Sequence, residues 1–173
     1  GTGIGGSFAL EYAQHYPETL AGIILHAPVG TRLDTRLFPR LMKLPGMRGL
    51  GQWLFSSQLT RPLFKRLLFS HPVPPDYLNQ FFDEYRHCAV FGQIFDILNN
   101  EWFAGLQKIE VPTGLLWGEK ERVLSVDQLN DYKALLPNHL VQTMPEWDHF
   151  PMIEQPADYA KQMVTLAQRL AAM

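Results

Sequence analysis

The chain opens with Gly1-Thr2-Gly3-Ile4-Gly5-Gly6-Ser7-Phe8-Ala9-Leu10-Glu11-Tyr12-Ala13-Gln14-His15-Tyr16, a glycine-rich turn followed directly by a helical pattern. Glycines are required where a backbone turns with positive φ or approaches another element closely. After the turn, apolar residues recur at a spacing that is typical of an amphipathic helix. The predicted apolar stripe of this helix consists of Phe8, Ala9, Tyr12, Ala13 and Tyr16.

The opening turn fits two functional motifs. Gly1, Gly3 and Gly6 match the dinucleotide-binding loop G-x-G-x-x-G. The same turn matches the nucleophile elbow G-x-S-x-G, except that Gly3 stands where the motif has serine. A dinucleotide site needs an acidic residue at the end of the next strand, where it holds the ribose hydroxyls. The next predicted strand ends before Pro28, and the nearest acid, Asp34, lies well beyond it, which disfavours the dinucleotide motif.

Strand and helix patterns alternate in two parts of the chain, which predicts an α/β fold with a mostly parallel sheet. Residues 1–30 have the pattern of a turn, a helix and a buried strand, and residues 111–173 resume this alternation. Residues 31–110 lack strand patterns and carry apolar pairs at helical spacing, which predicts an inserted helical cap. Both motifs of the opening turn require a preceding strand, so we expect this chain to be the C-terminal part of a longer protein, without its N-terminal strands.

The predicted cap is rich in aromatic residues. We expect most of them to pack the core of the cap, whereas some are candidates to line a ligand pocket, because such pockets are mostly apolar. This composition favours a small apolar or aromatic acyl-type substrate or ligand over a sugar or a phosphate. The residues are Trp53, Phe55, Phe64, Phe69, Phe81, Phe82, Phe91, Phe95 and Trp102.

The elbow motif predicts an acidic residue on a turn after a later strand, and then a histidine on a loop after the next strand. Glu121 follows the predicted strand 115–117, and His149 follows the predicted strand 140–144. In a catalytic triad the histidine takes the proton of the nucleophile and later returns it. The carboxylate orients the imidazole and stabilises its charged form. Their order therefore favours Glu121 as the acid and His149 as the base, although either residue alone would be an ordinary loop residue.

These segments resemble the α/β-hydrolase family over nearly the whole chain. The opening turn and helix are similar to the elbow of that family, and segment 117–123, Trp-Gly-Glu-Lys-Glu-Arg-Val, is similar to its acid-bearing segment. Segment 148–156, Asp-His-Phe-Pro-Met-Ile-Glu-Gln-Pro, is similar to its histidine segment, in which glycine usually precedes the histidine. Asp148 departs from that pattern, and we explain it by the tolerance of Asp for left-handed backbone.

The resemblance implies hydrolysis of an ester or a related acyl bond in two steps, with His149 as the base and Glu121 as the acid. It implies an oxyanion hole made by the backbone N–H of Ile4 and a second donor from an earlier loop. We expect no cofactor and no metal site. The resemblance fails at the nucleophile, because Gly3 has no side chain and a covalent intermediate cannot form there.

Two nearby hydroxyls are weak substitutes for the missing nucleophile. Thr2 precedes the apex and should point elsewhere, and Ser7 lies inside the helix, where we expect it to allow close packing. Three hypotheses therefore remain. The chain belongs to a serine-hydrolase-like protein whose Gly3 is a mutation, a natural variant or a sequence error. It is a non-catalytic ligand-binding protein with the same fold. Or His149 and Glu121 activate a water or a substrate proton directly.

Composition restricts the partners. The chain has 173 residues, 15 Lys and Arg against 17 Asp and Glu, and a formal net charge of −2, so we expect no nucleic-acid partner. Cys88 is the only cysteine, which excludes an internal disulfide and fits a reducing cytosol, so we expect a cytoplasmic protein. No apolar run of the sequence reaches the length of a membrane span.

Overall fold

The structure is a computed structural model that describes residues 1–35, 37–93, 96 and 100–173, without the side chains at positions 34, 38, 39 and 100. Three parallel strands form one sheet in the order β1-β2-β3. This arrangement confirms the predicted α/β fold with a parallel sheet. The strands are β1 Ile23–His26, β2 Thr113–Gly118 and β3 His139–Met144.

Helices precede and follow every strand. Those near the sheet are α1 Ile4–His15, α7 Leu129–Leu135, α8 Pro151–Glu154 and α9 Pro156–Ala171. Between β1 and β2 every described regular element is helical. These elements are α2 Leu37–Met42, α3 Met47–Ser56, α4 Arg61–Leu68, α5 Pro75–Arg86 and α6 Asn100–Gly105. We call residues 31–110 the cap.

The opening turn lies against the outer edge of β1. Thr2 forms a parallel bridge with His26, whose backbone N–H donates to the Gly1 carbonyl at 2.9 Å. The Gly3 N–H in turn donates to the His26 carbonyl at 3.0 Å. Helix α1 begins at the next residue, Ile4. The turn is therefore held at the carboxyl end of β1. In open α/β folds, ligands bind at the carboxyl ends of the parallel strands.

The sheet is covered on both faces, because side chains alternate between the faces along each strand. Leu25, Leu115 and Trp117 point to one face and pack with residues of α1 and α7. Leu116 points to the other face and packs against Leu166 of α9. Every residue of the central strand β2 is buried, which is characteristic of a parallel sheet that is covered on both faces.

The buried face of α1 differs from the predicted apolar stripe. Three members of that stripe are largely exposed, namely Phe8 at 58%, Tyr12 at 48% and Tyr16 at 52%. The residues that face the protein are mostly small, because small side chains allow the helix backbone to approach the sheet closely. They are Gly6, Ser7, Leu10 and Ala13.

Aromatic side chains form most of the core of the cap. The ring of Phe55 contacts the rings of Phe64, Phe81, Phe82, Tyr85 and Phe91. Phe81 connects this cluster to the segment after β3. Its ring centroid lies 5.0 Å from that of Phe150, the residue after His149. Trp53 is exposed, and Phe95 lies outside the described residues. Most of the predicted cap aromatics that the structure describes therefore pack together.

Candidate active site

Glu121 and His149 meet at the carboxyl ends of neighbouring strands. Glu121 lies three residues after the end of β2, and His149 lies five residues after the end of β3. The Oε2 atom of Glu121 is 2.7 Å from Nδ1 of His149. A carboxylate only accepts hydrogen bonds, so Nδ1 carries the hydrogen and the neutral ring keeps its lone pair on Nε2. That tautomer is the one in which a histidine acts as a general base.

The turn after β2 holds the Glu121 carboxylate in place. Its side chain is fully buried, and its Oε1 atom accepts backbone N–H groups from Val123 at 2.7 Å and Leu124 at 2.9 Å. The Trp117 indole donates to the Leu124 carbonyl at 2.8 Å and closes the same turn. Oε1 is thus committed to the backbone, and Oε2 is left for His149.

The residues beside this pair are also joined to each other. Asp148 precedes His149 and Arg122 follows Glu121, and the Arg122 Nε atom donates to Asp148 Oδ2 at 2.7 Å. The Ser70 hydroxyl, from the cap, donates to the same oxygen at 2.6 Å. Asp148 is fully buried. Among the described non-glycine residues, positive φ occurs at Ala27 and Arg32 and not at Asp148. The explanation of Asp148 by left-handed backbone is therefore wrong. Its side-chain contacts account for it instead.

The sequence predictions did not include Arg122 or Ser70 in the site. Arg122 lies inside the segment that resembles the acid-bearing motif. The unusual aspartate at position 148 was a sequence signal for it, because a carboxylate in that loop needs a hydrogen-bond donor nearby. Ser70 lies 78 residues before Asp148 in the chain, and no sequence signal connects the two. Only the packing of the cap against the sheet brings them together.

Gly3 lies at the apex of the elbow with φ 53° and ψ −118°. This combination is unfavourable for residues with a Cβ, and strained backbone of this kind is characteristic of the nucleophile position. A Cβ atom placed on Gly3 would meet no other atom within 4 Å. The described residues provide no backbone acceptor for the N–H of Ile4. The turn therefore has room for a side chain at its apex and a backbone donor beside it.

The Thr2 and Ser7 hydroxyls, which the sequence offers as substitutes for the nucleophile, have other partners. The Thr2 hydroxyl shares a hydrogen bond of 3.0 Å with the Tyr159 hydroxyl of α9. The Ser7 hydroxyl donates to the Val29 carbonyl and ties α1 to the segment after β1. Ser7 is fully buried. These contacts give both hydroxyls structural roles.

A second histidine lies close to the site. The ring of His26 is fully buried against Trp147 and Tyr159, with ring centroids 5.9 and 5.4 Å apart. Neither ring nitrogen has a hydrogen-bond partner among the described residues. Burial lowers the pKa of His26 to about 3, with smaller contributions from His149 and the amino group of Gly1. His26 is therefore neutral at physiological pH.

The described residues contain no helix with the length and apolar character needed to cross a membrane. In the same part of the chain, no three side chains of the His, Cys, Asp and Glu types are grouped so that they could bind a metal ion. The described residues of the site include a hydrogen-bonded carboxylate and imidazole, Glu121 and His149, at the same end of the sheet as the opening turn.

Comparison with known proteins identifies the fold family. Monoacylglycerol lipase ABHD6 of Bos taurus is 26% identical over 176 positions, which cover 95% of this chain and 52% of that protein. Lipase 1 of Psychrobacter immobilis is 20% identical over 160 positions, covering 89% of this chain and 50% of that protein. The chain spans about half the length of these curated relatives.

Solved structures have the same fold. The crystal structure of a membrane phospholipase A, described as a bacterial virulence factor, superposes with a TM-score of 0.74 at 24% identity. The match covers 98% of this chain and 56% of that one. A family model described as the α/β hydrolase fold matches residues 1–156 of this chain. The chain therefore belongs to the α/β-hydrolase fold family.

Proposed function

We propose that this chain carries the acid–histidine pair and the nucleophile turn of an α/β-hydrolase that acts on acyl esters. Glu121 is the acid, His149 is the base, and Gly3 occupies the nucleophile position. The observation that supports this most strongly is the 2.7 Å contact between Glu121 Oε2 and His149 Nδ1. The open space above Gly3 and the backbone N–H of Ile4 agree with it.

The reaction would need a hydroxyl at position 3. In a Gly3→Ser variant, the hydroxyl oxygen attacks the ester carbonyl while His149 Nε2 takes its proton and Glu121 stabilises the imidazolium. The Ile4 N–H binds the oxyanion. His149 then gives the proton to the leaving alcohol, and a water, deprotonated by His149, releases the acid from the acyl-enzyme. The proton passes back to the regenerated hydroxyl.

With Gly3 in place, no covalent intermediate forms at the elbow. Loss of a triad nucleophile leaves only the residual rate that binding and the oxyanion hole supply. We therefore propose that the chain as it stands hydrolyses esters weakly or not at all.

The proposed substrate is an ester of an apolar acyl group. Two relatives are named as a monoacylglycerol lipase and a lipase, and this part of the proposal is carried over from them. The aromatic cap, whose cluster reaches Phe150 beside His149, agrees with an apolar substrate group. We propose no cofactor.

The test of this proposal is the Gly3→Ser substitution, made in the naturally encoded protein. We expect this variant to react with a fluorophosphonate probe and to hydrolyse p-nitrophenyl butyrate. The unmodified protein and the Gly3→Ser, His149→Ala double variant should not react with the probe and should hydrolyse the ester weakly or not at all. A folded Gly3→Ser variant that gains neither reaction contradicts the proposal.

The absence of a side chain at Gly3 also favours a second candidate, a non-catalytic protein that binds a small apolar ligand. This candidate predicts saturable binding of a fatty acid or a monoacylglycerol, measured by thermal shift or calorimetry, that persists in a His149→Ala variant.

Direct activation of a water molecule by His149, without a nucleophile at position 3, makes a different prediction. Turnover would then occur with Gly3 in place and disappear in His149→Ala.

A further inference from the structure

The two loops that carry the catalytic candidates are joined by two adjacent side-chain contacts. Glu121 contacts His149, and the next residue, Arg122, contacts the preceding residue, Asp148. The two loops that follow β2 and β3 are therefore held together at adjacent positions. One contact is the proposed acid–base pair, and the other has no part in the chemistry proposed above.

Every oxygen of the Asp148 carboxylate has protein donors. Oδ2 accepts Nε and a terminal nitrogen of Arg122 together with the Ser70 hydroxyl. Oδ1 accepts the backbone N–H of His149 at 2.9 Å and that of Arg122 at 3.3 Å. A buried carboxylate is costly unless it is paired and hydrogen-bonded, so these donors must keep their positions for the loop to remain folded. Two of them are the backbone N–H groups of His149 and of Arg122, the residue after Glu121.

The cap joins this network from a third side. Arg122 donates to the Arg66 carbonyl at 3.0 Å and to the Ser70 hydroxyl at 3.1 Å. The backbone N–H groups of Ser70 and His71 donate to the buried side chain of Glu154 at 2.6 and 2.5 Å. The segment after α4 thus contacts Asp148, which precedes His149, and Glu154 of α8, which follows it.

We propose that Asp148 and Arg122 are positioning residues, which hold the His149 imidazole in register with Glu121 and connect that register to the cap. This inference rests on the proposed function. Asp148 binds the backbone of His149, and Arg122 sets the turn that carries Glu121. Loss of either residue should therefore loosen the Nδ1–Oε2 contact without removing a group that touches the substrate.

A spectroscopic test does not depend on hydrolysis. The sample is the protein with Gly3 in place, labelled with ¹⁵N at histidine. The proton on His149 Nδ1, which Glu121 accepts, should give a downfield resonance. Loss of this resonance in a Glu121→Gln variant assigns it to His149. We expect Asp148→Asn to broaden or remove this resonance. The control is Glu146→Gln, because Lys120 and Glu146 form an exposed ion pair across the same two loops. A resonance that is unchanged in Asp148→Asn overturns the proposal.

A kinetic test uses the Gly3→Ser background. We expect Asp148→Asn to lower kcat about 10- to 100-fold, since small displacements of a catalytic group have effects of that size, while KM changes less than about twofold. Unchanged kcat per site titrated with the fluorophosphonate overturns the proposal. If Asp148→Asn does not fold, Arg122→Gln replaces it in both tests, because the Arg122 side chain is 43% exposed. An inactive Gly3→Ser parent contradicts the proposed function, whereas the resonance still decides on positioning.

Discussion

The Nδ1 atom of His149 lies 2.7 Å from the Oε2 atom of Glu121, although 28 residues separate the two in the chain. Parallel strands explain this meeting. β2 and β3 are neighbours with aligned carboxyl ends, so the loops that leave them start side by side. The buried Glu121 carboxylate is further oriented by two backbone N–H groups of its own turn. The pair is thus preorganised by the sheet and by one tight turn.

Glu121→Gln should lower the activity of the Gly3→Ser variant strongly. The amide would no longer stabilise the imidazolium or select its tautomer, and in a comparable triad the corresponding change costs about 10⁴-fold in kcat. We expect a decrease of about 10³- to 10⁴-fold in kcat/KM for p-nitrophenyl butyrate. Glu119→Gln is the matched control, because Glu119 is an exposed carboxylate in the same turn. Equal effects of the two substitutions would contradict the assignment of the acid.

Gly3→Ala should destabilise the protein moderately. A Cβ has free space at this position, but φ 53° with ψ −118° is unfavourable for any residue that has one. We expect the free energy of unfolding to decrease by about 1–3 kcal/mol in urea titrations. Gly3→Ser should lose a similar amount, because the cost arises from the backbone. A loss much larger than this would show that the space above the apex is occupied.

Gly118→Ala should be more damaging than most glycine substitutions in this chain. A Cβ at Gly118, the last residue of β2, would lie 2.2 Å from the carbonyl oxygen of Trp147. The loop that carries His149 would have to move away from the turn that carries Glu121. We expect a loss of about 3 kcal/mol or more in unfolding free energy, at the severe end of single substitutions.

The matched control for Gly118→Ala is Gly49→Ala. Gly49 lies inside α3, where an added Cβ meets no atom within 4 Å. Alanine is the better helix former, so we expect this variant to be about 0.5–1 kcal/mol more stable than the parent. A Gly118→Ala protein as stable as the parent would contradict the close approach of the two loops.

His26 should make the fold sensitive to acid. Its pKa is about 3 in the folded protein and 6.5 when unperturbed, so the unfolded state binds the extra proton between these values. Stability due to the neutral ring is complete above about pH 6.5 and is lost as the pH falls towards 3. We expect about 2 kcal/mol of loss from this residue between pH 8 and pH 5.

Urea unfolding at pH 8 and pH 5 measures this effect. A His26→Leu variant should lose that part of the pH dependence, because leucine does not titrate and suits the apolar site. A His87→Gln variant, altered at an exposed histidine, should keep the pH dependence of the parent. If His26→Leu and the parent respond equally to pH, the ring of His26 is not buried as a neutral group.

Much of the candidate site could be predicted from the sequence. The glycine-rich turn, the acid after one strand and the histidine after the next are local patterns, and their order along the chain is characteristic. The buried face of α1 could not be predicted in this way. Hydrophobic periodicity selected Phe8, Tyr12 and Tyr16, whereas close packing on the sheet selected the small residues of the helix. Hydrophobic periodicity reflects the types of side chain along the helix. It contains no information on the distance between the helix backbone and the sheet.

The sequence by itself determined the α/β order of elements, the glycine-rich opening turn with Gly3, and Glu121 and His149 as candidates for an acid–base pair. Only the tertiary structure decided why Asp148 stands beside the histidine. Its carboxylate is satisfied by Arg122, 26 residues away, and by Ser70, 78 residues away. Turns and strands follow from neighbouring residues along the chain. A buried charge, in contrast, is stable only where distant segments bring donors to it, and that depends on how the cap and the two loops pack together.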